Sequence, residues 1–142
     1  MILIDANLLI YSDNVEAAQH ARSRAWLEDA LPNPAPVRFA WASLPAFLRM
    51  TTDTRVLAHP RAMSDVVAIA AEWLVRPNVD VLSPTSRHWA ILRDLLDRGQ
   101  ARGPLVTDAH LAALAIEHGA TLCTTDRDFA RFPGLKWMNP LE

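Results

Sequence analysis

Two periods alternate along this chain. Short apolar runs occur at Met1–Ile4, Val37–Trp41, Val79–Leu82, Ala120–Thr124 and Leu135–Met138. Between them lie longer stretches whose apolar residues recur every three or four positions. The short runs predict strands and the longer stretches predict helices. Leu8–Tyr11 starts a short helix after the first strand, and Asn14 is placed to cap a second helix running to about Leu31. Ala18, Ala21, Ala25 and Trp26 lie toward one face of that second helix. Ser43 opens a helix with Pro45 in its first turn, where proline is tolerated, and that helix turns Leu44, Phe47 and Leu48 inward and Arg49 outward. Ser64 opens another through Val75, stopped by Arg76–Pro77. Thr85 or Ser86 opens one through Arg98, with Trp89, Leu92, Leu95 and Leu96 as its apolar stripe. Thr107 is a good N-cap for a last, buried helix that Gly119 ends, and Phe129–Phe132 reads as a single turn. Strands alternating with helices predict an α/β sandwich with a mainly parallel sheet. No internal repeat or long linker divides the chain, so one domain over residues 1–142 is expected.

Carboxylates stand where these elements meet loops. The first strand delivers Asp5 at its end. Asp108 falls in the first turn of the last helix, where the positive end of the helix dipole favours an anion. The strand after that helix runs straight into Thr125-Asp126-Arg127-Asp128. In an open parallel sheet, functional groups collect beyond the carboxyl ends of the strands. If the first and fourth strands are parallel neighbours, Asp5, Asp108 and Asp126 meet there. Carboxylates sharing one spot raise each other's pKa unless a cation stands between them. All-oxygen ligands suit Mg²⁺ or Mn²⁺. Singly, each acid has a bland reading as a cap or turn residue; one topology that gathers them outweighs those readings.

Composition narrows the class. With 51% hydrophobic and 21% charged residues the chain reads as a globular protein, and no apolar run approaches a membrane span. Nothing at the N-terminus resembles an export signal, so a cytoplasmic location is expected. Cys123 is the only cysteine, which excludes an internal disulfide or a thiolate metal cage. A net charge of −2 argues against broad nonspecific nucleic-acid binding, although Arg49, Arg55 and Arg61 cluster in sequence. The five histidines form no metal spacing; His110 is near Asp108 but reads as a helix-surface residue. The tryptophans at helical spacing read as core or interface residues, not as base-stacking platforms. A receiver-like phosphoryl-transfer domain would also gather acids at strand ends, but the one lysine, Lys136, lies on the late edge strand.

The opening ILIDANLLIY, the LVTDAHLAALA helix and the TTDRDFARFPGL segment resemble a PIN-domain ribonuclease of the bacterial VapC toxin type. AFLRMTT, RPNV and RHWAIL extend the resemblance over nearly the whole chain. It implies a three-layer α/β/α sandwich with a five-stranded, mainly parallel sheet, a homodimer, and Mg²⁺- or Mn²⁺-dependent RNA cleavage. It also implies a small VapB-like antitoxin whose C-terminal segment blocks the acidic pocket. By position, Asp5, Asp108 and Asp126 match the family's catalytic acids, with Asp5 and Asp108 as the metal ligands. Asn7, Thr125 and Asp128 match flanking polar positions, and Arg49 and Arg127 are candidate contacts to RNA or antitoxin. One departure stands out: the family's usual helix glutamate, at about Ala46 or Phe47, is missing, and no carboxylate occurs between Trp41 and Thr52. The alternative to a nuclease is therefore a PIN-fold module that binds RNA or a partner without cutting.

Overall fold

The computed structural model describes residues 1–142. In chain order the elements are β1 (Ile2–Ile4), α1 (Ala6–Asp13), α2 (His20–Ala30), β2 (Val37–Ala40), α3 (Ser43–Thr52), α4 (Met63–Leu74), β3 (Val79–Leu82), α5 (His88–Arg98), α6 (Leu105–His118), β4 (Thr121–Cys123) and β5 (Trp137–Met138). A single 3₁₀ turn, Arg127–Arg131, joins the last two strands. The strands form one sheet in the order β3-β2-β1-β4-β5, parallel throughout. β1 lies at its centre, with Ile2 opposite Val37 on one side and Ile4 opposite Cys123 on the other.

Alternation along the strands sorts the core into two layers, because successive side chains point to opposite faces. Leu3 and Leu122 join the cluster under α5 and α6, with Leu95, Leu114, Phe129 and Phe132. Ile4, Phe39 and Cys123 join the cluster under α1 to α4, with Leu8, Phe47, Val66 and Trp73. Both faces of the sheet are thus covered, as a parallel sheet requires. The expected three-layer sandwich with five parallel strands is what the structure shows.

Several local expectations are corrected. Residues 14–19 are not helical: the Asn14 side chain accepts the Glu16 amide in a local turn, which competes with helix formation. α2 buries Ser23 and Leu27, while Ala18, Ala21 and Ala25 are exposed; the Ser23 hydroxyl donates to the Leu8 carbonyl at 2.7 Å. Packing against α1 selects that face, overriding the alanine stripe. α3 and α4 begin one residue before or at the expected serines, without a side-chain cap on either. α5 begins at His88, after a turn in which Thr85 accepts the Arg87 amide. Its stripe is Leu95 with half-buried Ile91, Leu92 and Leu96; Trp89 is 66% exposed. α6 starts at Leu105 with Pro104 in the cap position, so Thr107 is not the cap. Proline suits that position because no backbone donor is needed there. Asp108 keeps its first-turn place, and Gly119 ends the helix at φ 67°, a left-handed conformation that glycine adopts without strain. Of the tryptophans, Trp73 is core, stacked on Phe39, but Trp41 and Trp89 are exposed.

Candidate active site

β1 and β4 end side by side, and the pairing continues one residue beyond them: the Asp5 amide donates to the Cys123 carbonyl at 3.0 Å. That extension holds Asp5 level with Thr124, at the carboxyl edge of the central strands. Asp5 occupies the cap position of α1 but makes no capping hydrogen bond with its side chain. Its carboxylate instead accepts the Thr124 hydroxyl at 2.7 Å. The same hydroxyl oxygen accepts from the Asn7 side-chain amide at 3.3 Å and from the Asp126 backbone amide at 3.0 Å. A hydroxyl has one proton and two lone pairs, so fully buried Thr124 is saturated by these three partners. One threonine thereby fixes Asp5, Asn7 and the start of the Asp126 turn relative to one another. Asp126 in turn accepts the Asp128 amide at 2.8 Å, which closes the turn.

Asp108 reaches this edge from the opposite side of the chain, in the first turn of α6. Burial raises its pKa to about 6, helped by the negative charges of Asp126, Asp5 and Asp128 and opposed by Arg131. Burial likewise pushes Asp5 up, the Thr124 hydrogen bond and the Ala6 amide pull it down, and the Asp126 charge adds to the rise. These are the signatures of carboxylates that repel one another across a partly dry site. A second sign is the Asn7 side-chain carbonyl oxygen, which is buried with no partner. An orphaned buried acceptor costs roughly 1–3 kcal/mol and is expected only where something else satisfies it.

The donor set therefore fits a hard cation: carboxylates and one amide oxygen, mutually repulsive and short of positive charge. No three acidic, histidine or cysteine side chains stand close enough to form a closed cage. The fit is to an ion that keeps part of its water shell. A cavity of about 330 Å³ opens elsewhere, between α2 and α4, lined by Leu27, Ile69, Trp73 and Arg76, and no site carboxylate borders it.

Asp5, Asp108, Asp126 and Asp128 thus share one electrostatic neighbourhood, with Asn7 beside them. Two of the expected site residues are placed differently. The hydroxyl that binds Asp5 belongs to Thr124, and Thr125 makes none of these contacts. Arg49 is in the last turn of α3, roughly 9 Å along the helix from the carboxyl edge where α3 begins. Arg127 adjoins Asp126 and pairs with Glu142 at 3.1 Å on the surface. The cation that acts on Asp108 is Arg131, which also donates to the Gly99 carbonyl at 3.0 Å.

A buried polar chain behind the site was also missed. The Glu117 carboxylate is fully buried in α6 and accepts the Thr85 amide and His88 Nδ1, each at 2.6 Å. His88 Nε2 lies 2.9 Å from His110 Nδ1. His110 is therefore not a free surface residue, and it points away from Asp108, roughly 200° around the helix. This chain ties α5 to α6 and holds the helix that carries Asp108.

Residues 2–135 match the family described as PIN domain. The chain belongs to the PIN-domain family. Within it, the Mycobacterium tuberculosis protein named Ribonuclease VapC33 is 42% identical over 141 residues, covering 99% of this chain and 99% of the relative. Two solved structures share the PIN fold. Mycobacterium tuberculosis VapC20, described as a Sarcin-Ricin loop cleaving toxin, superposes with a TM-score of 0.68 at 21% identity, over 96% of this chain and 99% of the other. VapBC2 from Rickettsia felis, solved bound to a DNA fragment from their promoter, gives 0.68 at 17% identity over 98% of both chains. At those identities the structures speak for the fold; the full-length likeness to VapC33 speaks for the family.

Proposed function

We propose that this PIN-domain protein is a metal-dependent endoribonuclease that serves as the toxin of a toxin–antitoxin pair. The observation that carries the reading is the convergence of Asp5, Asp108 and Asp126 beside the unpartnered oxygen of Asn7. Full-length similarity to a protein named a ribonuclease supports the same reaction class.

Asp5 and Asp108 would hold the ion, Mg²⁺ or Mn²⁺ in its place, and the unpartnered oxygen of Asn7 would be available to it or to its water shell. When bound, the ion supplies positive charge at the scissile phosphate and makes a water more acidic. Asp126 orients the attacking water and accepts its proton; Thr124 keeps Asp5 and the Asp126 turn in register. In-line attack on phosphorus forms the new P–O bond and breaks the bond to the 3′-oxygen, which takes a proton from solvent, leaving a 5′-phosphate and a 3′-hydroxyl. Asp108 is about nine-tenths ionised at neutral pH if its pKa is about 6, and a cation beside it raises that fraction.

A VapB-like antitoxin is the proposed partner, in keeping with a fold neighbour solved as a VapBC pair. The proposed assembly is a homodimer, and the proposed single PIN-like domain spans residues 1–142. A second reading, a PIN-fold module that binds RNA or a partner without cutting, is favoured by one feature: the first turn of α3 carries no acid. The two readings part in a cleavage assay on purified, antitoxin-free protein. Asp5→Asn and Asp108→Asn should each abolish RNA cleavage by the folded protein. Cleavage that survives both changes refutes the assignment of the site, and RNA binding without cleavage by the unaltered protein establishes the second reading.

A further inference from the structure

Trp41 is the residue the proposed reaction leaves unexplained. It follows β2 directly, and 61% of its surface is exposed. The register fixes where it emerges. Leu3 pairs with Arg38, so continuing the ladder sets Asp5 level with Ala40. Ile4 pairs with Cys123, so Asp5 is also level with Thr124. Trp41 is thus the first residue beyond the sheet edge on the strand next to Asp5, and neighbouring strands are about 4.8 Å apart. It belongs to neither core cluster and pairs with no other ring.

A large aromatic left in water at the lip of an acidic site offers a flat face on which a second ring can stack. The next exposed residues along the chain, Ala42 and Pro45, are small, so this segment presents about one ring of apolar surface. That is the size of a nucleobase and far below the roughly 800 Å² per side of a stable protein interface. Charge does not supply the affinity. The chain carries a net charge of −2, and this edge gathers carboxylates, so no broad positive field draws in a polyanion. Stacking does not depend on charge and binds any unpaired base.

We propose that Trp41 stacks an unpaired base of the RNA substrate beside the scissile phosphate, and so holds single-stranded RNA across the carboxylates. This rests on the nuclease reading. Loss of one stacking contact weakens binding roughly 5- to 150-fold. Because Trp41 is exposed, Trp41→Ala should fold normally.

The test measures steady-state cleavage of a single-stranded RNA by antitoxin-free protein. Trp41→Ala should raise KM by roughly 5- to 150-fold with kcat within about twofold, and Trp41→Phe should recover most of the loss. Two inhibitors add a readout that a structural role would not move: a short oligoadenylate, and a ribose-phosphate oligomer of the same length without bases. Wild type should prefer the oligoadenylate, and Trp41→Ala should bind the two alike. An unchanged KM in Trp41→Ala, or a wild type that binds both inhibitors equally, overturns the proposal while leaving the nuclease reading intact. An unchanged KM with lost self-association or antitoxin binding also overturns it and makes Trp41 part of a protein interface. If wild type cleaves no RNA the nuclease reading fails, and direct binding of the two oligomers, followed by fluorescence anisotropy, then decides the stacking on its own.

Discussion

Replacing Asp108 with asparagine should stabilise the metal-free protein while removing its activity. The carboxyl's pKa rises from an ordinary 3.8 to about 6 on folding, mainly through burial and then through Asp126, Asp5 and Asp128. A rise of that size corresponds to about 3 kcal/mol of disfavoured charge. Asp108 is only half-buried, so solvent screening reduces this to about 1–2 kcal/mol. The sign follows from proton linkage. Because the folded-state pKa is the higher one, the native state binds the proton more tightly. The contribution of Asp108 to stability is therefore greatest below about pH 4 and falls as pH rises through about 6. Asparagine is neutral throughout and escapes the fall. Thermal unfolding in a chelator at about pH 7.5 should show Asp108→Asn melting roughly 3–8 °C above wild type, with the gap closing near pH 4. Added Mg²⁺ should raise the wild-type Tm and leave the variant's unchanged. An Asp108→Asn variant that melts below wild type at neutral pH, or gains as much from Mg²⁺, would refute the picture of a repulsive carboxylate cluster relieved by a cation.

Two other outcomes follow from the hydrogen bonds around the site. Thr124→Val keeps the volume but leaves Asp5, Asn7 and the Asp126 amide each short of a partner, so it should cost about 1–3 kcal/mol in urea unfolding and lower cleavage at least about tenfold. Thr125→Val should change neither by a comparable amount. Glu117→Ala strips the fully buried partner from His88 and the Thr85 amide, and should cost about 3–5 kcal/mol; a loss under about 1 kcal/mol would mean that the chain from Glu117 to His110 does not hold α5 to α6.

The sequence was most informative where one chemical rule acts alone. Ile2–Asp5 and Thr121–Asp126 are apolar runs that end in acids, and a parallel sheet has only one edge at which such ends meet. Asp108 was legible because a first-turn acid suits a helix dipole wherever the helix begins, so misplacing the cap at Thr107 did not matter. Thr124 and Thr125 could not be told apart, because the choice depends on the exact end of β4 and the parity of its pleat. The chain from Glu117 through His88 to His110 spans residues far apart in sequence and exists only once α5 and α6 are packed in register. The face of α2 and the exposure of Trp89 were set by neighbouring helices, which a local apolar pattern does not encode. Helical spacing groups Trp41 with core or interface tryptophans; its place one residue beyond the strand takes it out of the core and leaves it 61% exposed.

The central claim is that these gathered carboxylates cut RNA through a divalent ion. It is tested most directly by chelation and restoration in a single cleavage assay of purified, antitoxin-free protein, with the new RNA ends mapped. Chelator should stop cleavage, Mn²⁺ or Mg²⁺ should restore it, and the new ends should carry a 5′-phosphate and a 3′-hydroxyl. Cleavage that persists in chelator at the same sites, and that survives in Asp5→Asn, would contradict it.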